Sequence, residues 1–153
     1  PLKLRNTLFC SKENLKMEGI QSFSKDGIIR EKEWPLTYST GPFISTPKEI
    51  LILYNYILSG NFLSDSSMKI MLSHMNIISY KPDVYYGLGI SVIKDLPSGN
   101  YLGHSGGYNG FKTCIYYNIE NKVFTAVMSN TNTFDVEPAM FFLTERTIGL
   151  LRK

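Results

Sequence analysis

The sequence has few of the residues that usually form metal, disulfide or cofactor sites. Its 153 residues include only two cysteines, two histidines and one tryptophan. Cys10 and Cys114 lie far apart and have no metal-ligand spacing, so two free thiols are predicted rather than a disulfide. His104 has no Cys, His, Asp or Glu at ligand spacing. No metal site and no cofactor are therefore predicted.

Charge and hydropathy exclude two further classes of protein. The 16 Lys and Arg residues and 13 Asp and Glu residues give a net charge of +3. The charges are scattered, and no basic stripe follows a helix or a loop, so nucleic-acid binding is not predicted. No apolar run approaches the length of a membrane span. The length and the hydrophobic fraction of 43% are typical of a single globular domain with a buried core.

The first residue is Pro1, and no signal peptide follows it. We therefore expect a processed or shortened chain, or a piece of a longer protein. Residues 1–153 are predicted to form one domain. Residues 1–84 are expected to form a lobe of loops and helices, and residues 85–153 a sheet with a C-terminal helix.

Three helices are predicted from start signals and apolar spacing. Thr46-Pro47-Lys48-Glu49 has the pattern of an N-terminal cap, with proline in the first turn and Glu49 closing a capping box, and the helix is expected to end at Gly60. Ser64 is expected to begin a second helix. Glu137-Pro138 is expected to begin a third, largely apolar helix that lies on the sheet.

Alternating apolar residues with short turns predict an antiparallel sheet of about four strands. The predicted strands are Tyr86–Ile93, a strand beginning at Tyr101–His104, Phe111–Asn118 and Val123–Ser129. The predicted fold class is therefore α+β, with two helices and loops before the sheet and a covering helix after it.

The segment Tyr101–Phe111 is the candidate site, because it combines His104 and Ser105 with four of the twelve glycines. It matches the G-x-S-x-G pattern of a nucleophile elbow, but that motif requires a following helix and a later histidine. Phe111 instead begins a predicted strand, and no histidine follows His104. A phosphate-binding loop is also disfavoured, since the Gly-Lys-Ser/Thr ending is missing.

His104-Ser105-Gly106 resembles the third active-site motif of the serine β-lactamase and penicillin-binding-protein superfamily. That superfamily includes class C β-lactamases, D-alanyl-D-alanine carboxypeptidases and related esterases. Further blocks resemble the same family in the family's order: Pro1–Thr7, Gly41–Ile50, Tyr86–Gly89, Gly103–Phe111 and Met128–Asn130. The resemblance runs from residue 1 to about residue 150 and implies the C-terminal part of such a fold.

The resemblance also implies roles for four residues. His104 would help to bind a substrate carboxylate and support proton transfer, and Ser105 would donate a hydrogen bond to the same carboxylate. Gly106 would let the substrate lie against the strand, and the N–H of Gly107 would be one donor of an oxyanion hole. The implied substrates are β-lactams or D-alanyl peptides, and the implied location is periplasmic or extracellular.

Two family motifs are missing where they would be expected. No Ser-x-x-Lys nucleophile is predicted in a helix near the start. Ser22-Phe23-Ser24-Lys25 matches the pattern, but it lies in a predicted turn-rich loop. The Tyr-x-Asn motif belongs before residue 1, and neither Tyr54-Asn55 nor Tyr117-Asn118 matches it.

The chain is therefore expected to be a fragment that is inactive alone. Its expected partner is the missing N-terminal part of its own chain. Without that part, it should form homo-oligomers or domain swaps through an exposed sheet edge. The alternative is a non-catalytic domain for peptide binding or self-association.

Overall fold

A six-stranded antiparallel sheet forms the centre of the structure, a computed structural model that describes residues 2–9, 21–29, 40–41, 43–73, 76–78 and 81–153. Each strand pairs with the next strand along the chain. Four short strands come first in the chain: β1 (Leu8–Phe9), β2 (Ser22–Ser24), β3 (Gly27–Ile29) and β4 (Phe43–Ile44). The strands of the central sheet are β5 (Asn76–Ile78), β6 (Lys81–Tyr86), β7 (Ser91–Leu96), β8 (Gly99–Tyr108), β9 (Phe111–Asn118) and β10 (Val123–Ser129). The predicted α+β class is confirmed, with more strands than the four expected.

The first predicted strand differs most from the structure. Residues 87–90 connect β6 to β7 instead of continuing a strand, and Gly89 adopts a left-handed φ of 75°. The sheet also begins earlier than Tyr85, although Pro82 lies within β6. Proline removes a ladder donor and argues against a strand in sequence analysis, which is why β6 was not predicted before Tyr86.

Helix α3 (Val136–Leu151) covers one face of the sheet, as predicted. Asp135 caps it, since its carboxylate accepts from the Glu137 amide at 3.3 Å. Beneath the helix lies a core of side chains from β8, β9 and α3: Tyr101, Cys114, Tyr116, Val136 and Met140. This core holds the central strands in one fixed register.

Helix α1 (Pro47–Tyr56) lies on the opposite face. It shares a groove with Phe124 of β10, whereas the next residue, Thr125, bonds Thr144 of α3 at 2.7 Å. Successive strand residues point to opposite faces, so the sheet is covered on both sides. The predicted cap at Thr46 is confirmed, and a π-helical turn (Ile57–Asn61) containing Gly60 follows α1.

The remaining elements are short. Helix α2 (Asp65–Ser73) begins after Ser64, whose hydroxyl accepts from the Ser67 amide at 3.2 Å, as predicted. Two small antiparallel sheets complete the description: β1 (Leu8–Phe9) with β4 (Phe43–Ile44), and the hairpin β2 (Ser22–Ser24) with β3 (Gly27–Ile29). Cys10 and His74 lie outside the described residues.

The carboxylate of Glu49 joins the N-terminal segment to α1. It accepts from the amides of Arg5 and Asn6 at about 3.0 Å and from the Thr7 hydroxyl at 2.7 Å. The amide of Glu49 meets the Thr46 hydroxyl at 3.3 Å, but its carboxylate bonds residues 5–7, so the predicted capping box is only half present. The Thr7 hydroxyl is the main cause that lowers the pKa of Glu49, against the opposing effect of burial.

We expect Glu49→Gln to lower the melting temperature at pH 7, because an amide nitrogen would replace one of the two acceptor oxygens. The lowered pKa means that the ionised carboxylate stabilises the fold above its unfolded pKa of about 4.5 and loses this effect as the pH falls through the folded value. The melting temperatures of the starting protein and of Glu49→Gln should therefore approach each other as the pH is lowered. Asp83→Asn, which changes an exposed carboxylate, is the control; equal pH dependence in all three proteins would contradict the assignment.

A close approach at Gly103 gives a second prediction. A Cβ at this position would lie 2.1 Å from the Ile115 carbonyl oxygen and 2.5 Å from the Tyr116 ring. Gly103→Ala should therefore lower the free energy of unfolding by about 1–3 kcal/mol, measured by chemical denaturation. Gly106→Ala is the matched control on the same strand, since its Cβ would meet nothing within 4 Å. A Gly103→Ala protein as stable as the control would refute the packing argument.

Candidate functional site

Strand β8 extends beyond its neighbour β7 and leaves one edge open. It pairs with β9 as far as Tyr108 and Phe111, but its pairing with β7 ends where Gly103 meets Ser91. From His104 to Tyr108, no strand of the described chain lies on the side away from β9. The end of this half, residues 106–108, is exposed. A ligand can therefore reach the backbone hydrogen-bonding groups of this edge.

His104 lies at the start of the open edge and is held through both ring nitrogens. Nδ1 lies 2.5 Å from the carbonyl oxygen of Ser105, and Nε2 lies 2.7 Å from the hydroxyl of Tyr86 at the end of β6. The rings of Tyr86 and His104 also meet edge to face, with centroids 5.5 Å apart. The half-buried imidazole is therefore fixed in orientation. The sequence drew attention to Tyr86 only as part of a motif block and not as a partner of His104.

Ser105 is bound on the other face of the sheet. Its hydroxyl donates to a carboxylate oxygen of Glu137, in the first turn of α3, at 2.7 Å. Its pairing partner on β9 is the buried Cys114, which belongs to the core beneath α3. Because neighbouring strand residues point to opposite faces, the structure does not bring His104 and Ser105 to a common partner. An anion bound by Ser105 would have to replace Glu137.

Neither Gly106 nor Gly107 is required by the packing of the described chain. A Cβ at Gly106 would meet nothing within 4 Å, and a Cβ at Gly107 would make an ordinary contact of 3.4 Å with the Phe111 carbonyl. Neither residue has a left-handed backbone. As far as the described residues are concerned, the space beside Gly106 is therefore free for a ligand.

A two-residue turn at Asn109 and Gly110 joins β8 to β9. Both residues have positive φ, 47° and 82°, which is the pattern of a tight hairpin turn with an Asn-Gly sequence. Ser22 packs beneath this turn, and its hydroxyl donates to the Asn109 carbonyl at 2.5 Å. Ser22 lies on β2 and Lys25 in the turn after it, so this Ser-x-x-Lys spelling is not on a helix.

The sequence contains further matches to the Ser-x-x-Lys and Tyr-x-Asn patterns. Ser-x-x-Lys also occurs at Ser45–Lys48, Ser66–Lys69 and Ser91–Lys94. Only the pair in α2 lies wholly on a helix, where Ser66 and Lys69 are both exposed and the Ser66 hydroxyl meets that of Ser64 at 2.9 Å.

Tyr116-Tyr117-Asn118 has the Tyr-x-Asn spelling. Tyr116 and Asn118 lie on β9 and are 4% and 0% exposed. Tyr116 belongs to the core beneath α3, and the Asn118 amide donates to the Ser98 carbonyl at 3.0 Å. Both residues therefore have structural positions inside the sheet rather than positions at its open edge.

Burial keeps two tyrosines near the site protonated. It raises the pKa of Tyr54 to about 12, with further contributions from Tyr86 and Cys114. Burial also raises the pKa of Tyr116. Neither phenol can therefore supply a phenolate base at neutral pH.

Three other features of the described residues bear on the choice of site. No group of three metal-ligating side chains occurs among its residues, and no helix in it is long and apolar enough to span a membrane. A shallow groove of about 480 Å³ lies between α1 and the β9–β10 hairpin. It is lined by Leu51, Ile52, Asn55, Tyr117, Lys122 and Phe124, and His104 and its neighbours do not contribute to it.

Comparison with known proteins gives no match to a protein-family model or to a curated protein sequence. Solved structures do match. A D-stereospecific amidohydrolase from Streptomyces sp. is 23% identical, with a TM-score of 0.65 over 84% of this chain and 40% of that one. A D-amino acid amidase from Ochrobactrum anthropi SV3, complexed with D-phenylalanine, is 20% identical, with a TM-score of 0.68 over 85% of this chain and 44% of that one.

A penicillin-binding protein from Bacillus halodurans is 16% identical, with a TM-score of 0.67 over 92% of this chain and 45% of that one. The chain thus spans less than half the length of each of these proteins. At such identities the similarity concerns the fold, and it agrees with the motif resemblance found in the sequence. The chain therefore has the fold of part of each of these three proteins, the amidohydrolase, the amidase and the penicillin-binding protein.

Proposed function

We propose that this chain forms one wall of the substrate cleft of a serine hydrolase that cleaves amide bonds, β-lactams and D-alanyl peptides included. The nucleophilic serine would come from a segment that precedes these residues in the complete enzyme. The chain alone would then be inactive. A periplasmic or extracellular location belongs to the same proposal.

The open edge of β8 carries this proposal. An acyl substrate that lies beside this edge would meet backbone donors and acceptors in the manner of an added strand. Exposed Gly106 leaves room for it, and neither packing nor backbone conformation explains a glycine there. Half-buried His104 lies at one end of the same edge.

The direction of the Gly107 amide supports its role as an oxyanion donor. Along a strand, hydrogen-bonding groups point alternately to the two edges. The Ser105 carbonyl accepts from the His104 ring, so we place the groups of Ser105 on the open edge. Gly107, two residues later, then points to the same edge. One such donor typically contributes about 2.7–4 kcal/mol to stabilising a transition state.

Ser105 requires a change of partner for its proposed role. Its hydroxyl can donate to a substrate carboxylate only after it leaves Glu137. The substrate anion would otherwise lie beside a second negative charge, which is unfavourable. We therefore assign carboxylate recognition to Ser105 only in the substrate-bound enzyme.

A non-catalytic domain for peptide binding or self-association is the second candidate. The outer face of α3 supports it, since Phe142, Leu143 and Leu150 are 65%, 47% and 68% exposed. An apolar stripe of this kind is typical of surfaces that contact another polypeptide. The two candidates differ in whether the complete protein acquires a covalent adduct.

We expect no gain in intact mass when the chain is incubated with benzylpenicillin, because no described serine combines a helical Ser-x-x-Lys setting with the β8 edge. A stoichiometric adduct at one serine would overturn this expectation, with Ser105, Ser22 and Ser66 the first to map. A longer chain that includes a preceding Ser-x-x-Lys should form the adduct; failure there would favour the non-catalytic candidate.

We expect D-phenylalanine amide to shift the amide NMR signals of residues 104–107 in the isolated chain. Gly106→Ala should weaken this binding by about tenfold, or about 1.4 kcal/mol, because its methyl group would occupy the ligand's space. Gly149→Ala is the control, since its Cβ also meets nothing within 4 Å but lies on α3. Equal binding by both variants, or shifts confined to another surface, would argue against the cleft.

A further inference from the structure

The two nitrogens of His104 have partners that together define the protonation of the ring. The carbonyl oxygen of Ser105, 2.5 Å from Nδ1, can only accept a hydrogen bond, so Nδ1 must carry the hydrogen. In the neutral ring Nε2 is then an acceptor. The Tyr86 hydroxyl, 2.7 Å away, is the donor that it meets.

We propose that Tyr86 is a positioning residue that holds His104 in its Nδ1–H tautomer and thereby keeps Nε2 as the proton-accepting atom. The tautomer itself follows from the two contacts. Its use in catalysis rests on the proposed hydrolase function, in which His104 supports proton transfer. In the Nδ1–H tautomer, Nε2 rather than Nδ1 is the atom that takes part in that transfer.

Strand pairing and a close contact with α2 hold the backbone at Tyr86 in place. Tyr86 pairs with Ser91, which pairs in turn with Gly103, the residue before His104. The next residue, Gly87, has its amide bonded to the Ile90 carbonyl at 2.8 Å. A Cβ on Gly87 would lie 2.4 Å from the Met71 carbonyl oxygen at the end of α2, so the chain after Tyr86 lies directly against that helix.

The same two partners can serve both charge states of the ring. When Nε2 takes up a proton, the Nδ1–H bond to the Ser105 carbonyl becomes charge-assisted and therefore stronger. The Tyr86 hydroxyl, which is both donor and acceptor, first turns its hydrogen away from Nε2, which frees the lone pair for the incoming proton, and then accepts from the new Nε2–H. His104 can thus gain and lose a proton without moving its ring.

The tautomer can be measured by long-range nitrogen–proton NMR on the ¹⁵N-labelled chain, at a pH where the imidazole is neutral. His74→Gln leaves His104 as the one imidazole in the sequence. We expect the Nδ1–H pattern in this background. Tyr86→Phe, which keeps the ring and removes the hydroxyl, should shift the population measurably toward Nε2–H. Tyr85→Phe is the control, since the Tyr85 ring meets Lys94 instead and should leave the pattern unchanged.

An Nε2–H pattern in the starting chain, or an unchanged pattern in Tyr86→Phe, would overturn the proposal. Should Tyr86→Phe fail to fold, the starting chain still provides a test. Its Tyr86 hydroxyl proton should exchange slowly with solvent and show a nuclear Overhauser effect to the His104 ring; rapid exchange would contradict the bond. The tautomer experiment uses no substrate, so a negative result in it leaves the hydrolase proposal standing. Conversely, if D-phenylalanine amide causes no shifts near Gly106, the tautomer assignment is unaffected.

Discussion

The close approach of β8 to β9 at Gly103 is the constraint on which the rest of the structure depends. The Tyr116 ring lies where a side chain of residue 103 would be, and it packs in turn on Phe141 of α3. This contact fixes the register in which Ser91, Gly103 and Tyr116 lie side by side. Any slip by one residue would turn the core residues of β8 to the wrong face. The position of every site residue on β8 follows from that register.

The register also explains why the two polar residues of the site have such different surroundings. His104 and Ser105 are neighbours in sequence, but one contacts a tyrosine of β6 and the other a glutamate of α3. The strand therefore connects the open edge to the helix-covered face within two residues. A change at the N-terminus of α3 can alter how Ser105 is held without contact with the imidazole.

Local signals in the sequence predicted much of the fold, because they act over a few residues. Thr46 and Ser64 cap helices as expected, and the predicted strands Phe111–Asn118 and Val123–Ser129 agree with β9 and β10. The long-range partners of Glu49, Ser105 and His104 could not be predicted, since Arg5, Glu137 and Tyr86 lie 18 to 44 positions away in sequence and depend on how the elements pack. Strand β6 was missed because Pro82 argues against a strand. In the structure, pairing with the neighbouring strands outweighs this local preference.

The order of strands in the central sheet has a consequence for how the chain folds. Every strand from β5 to β10 pairs with its neighbour along the chain, so each pairing closes only a short loop and costs little entropy. The contacts of Ser22 with Asn109 and of Asn130 with Gln21 instead join residues 87 and 109 positions apart. The six-stranded sheet can thus assemble first, and the contact of Ser22 with the β8–β9 turn forms last.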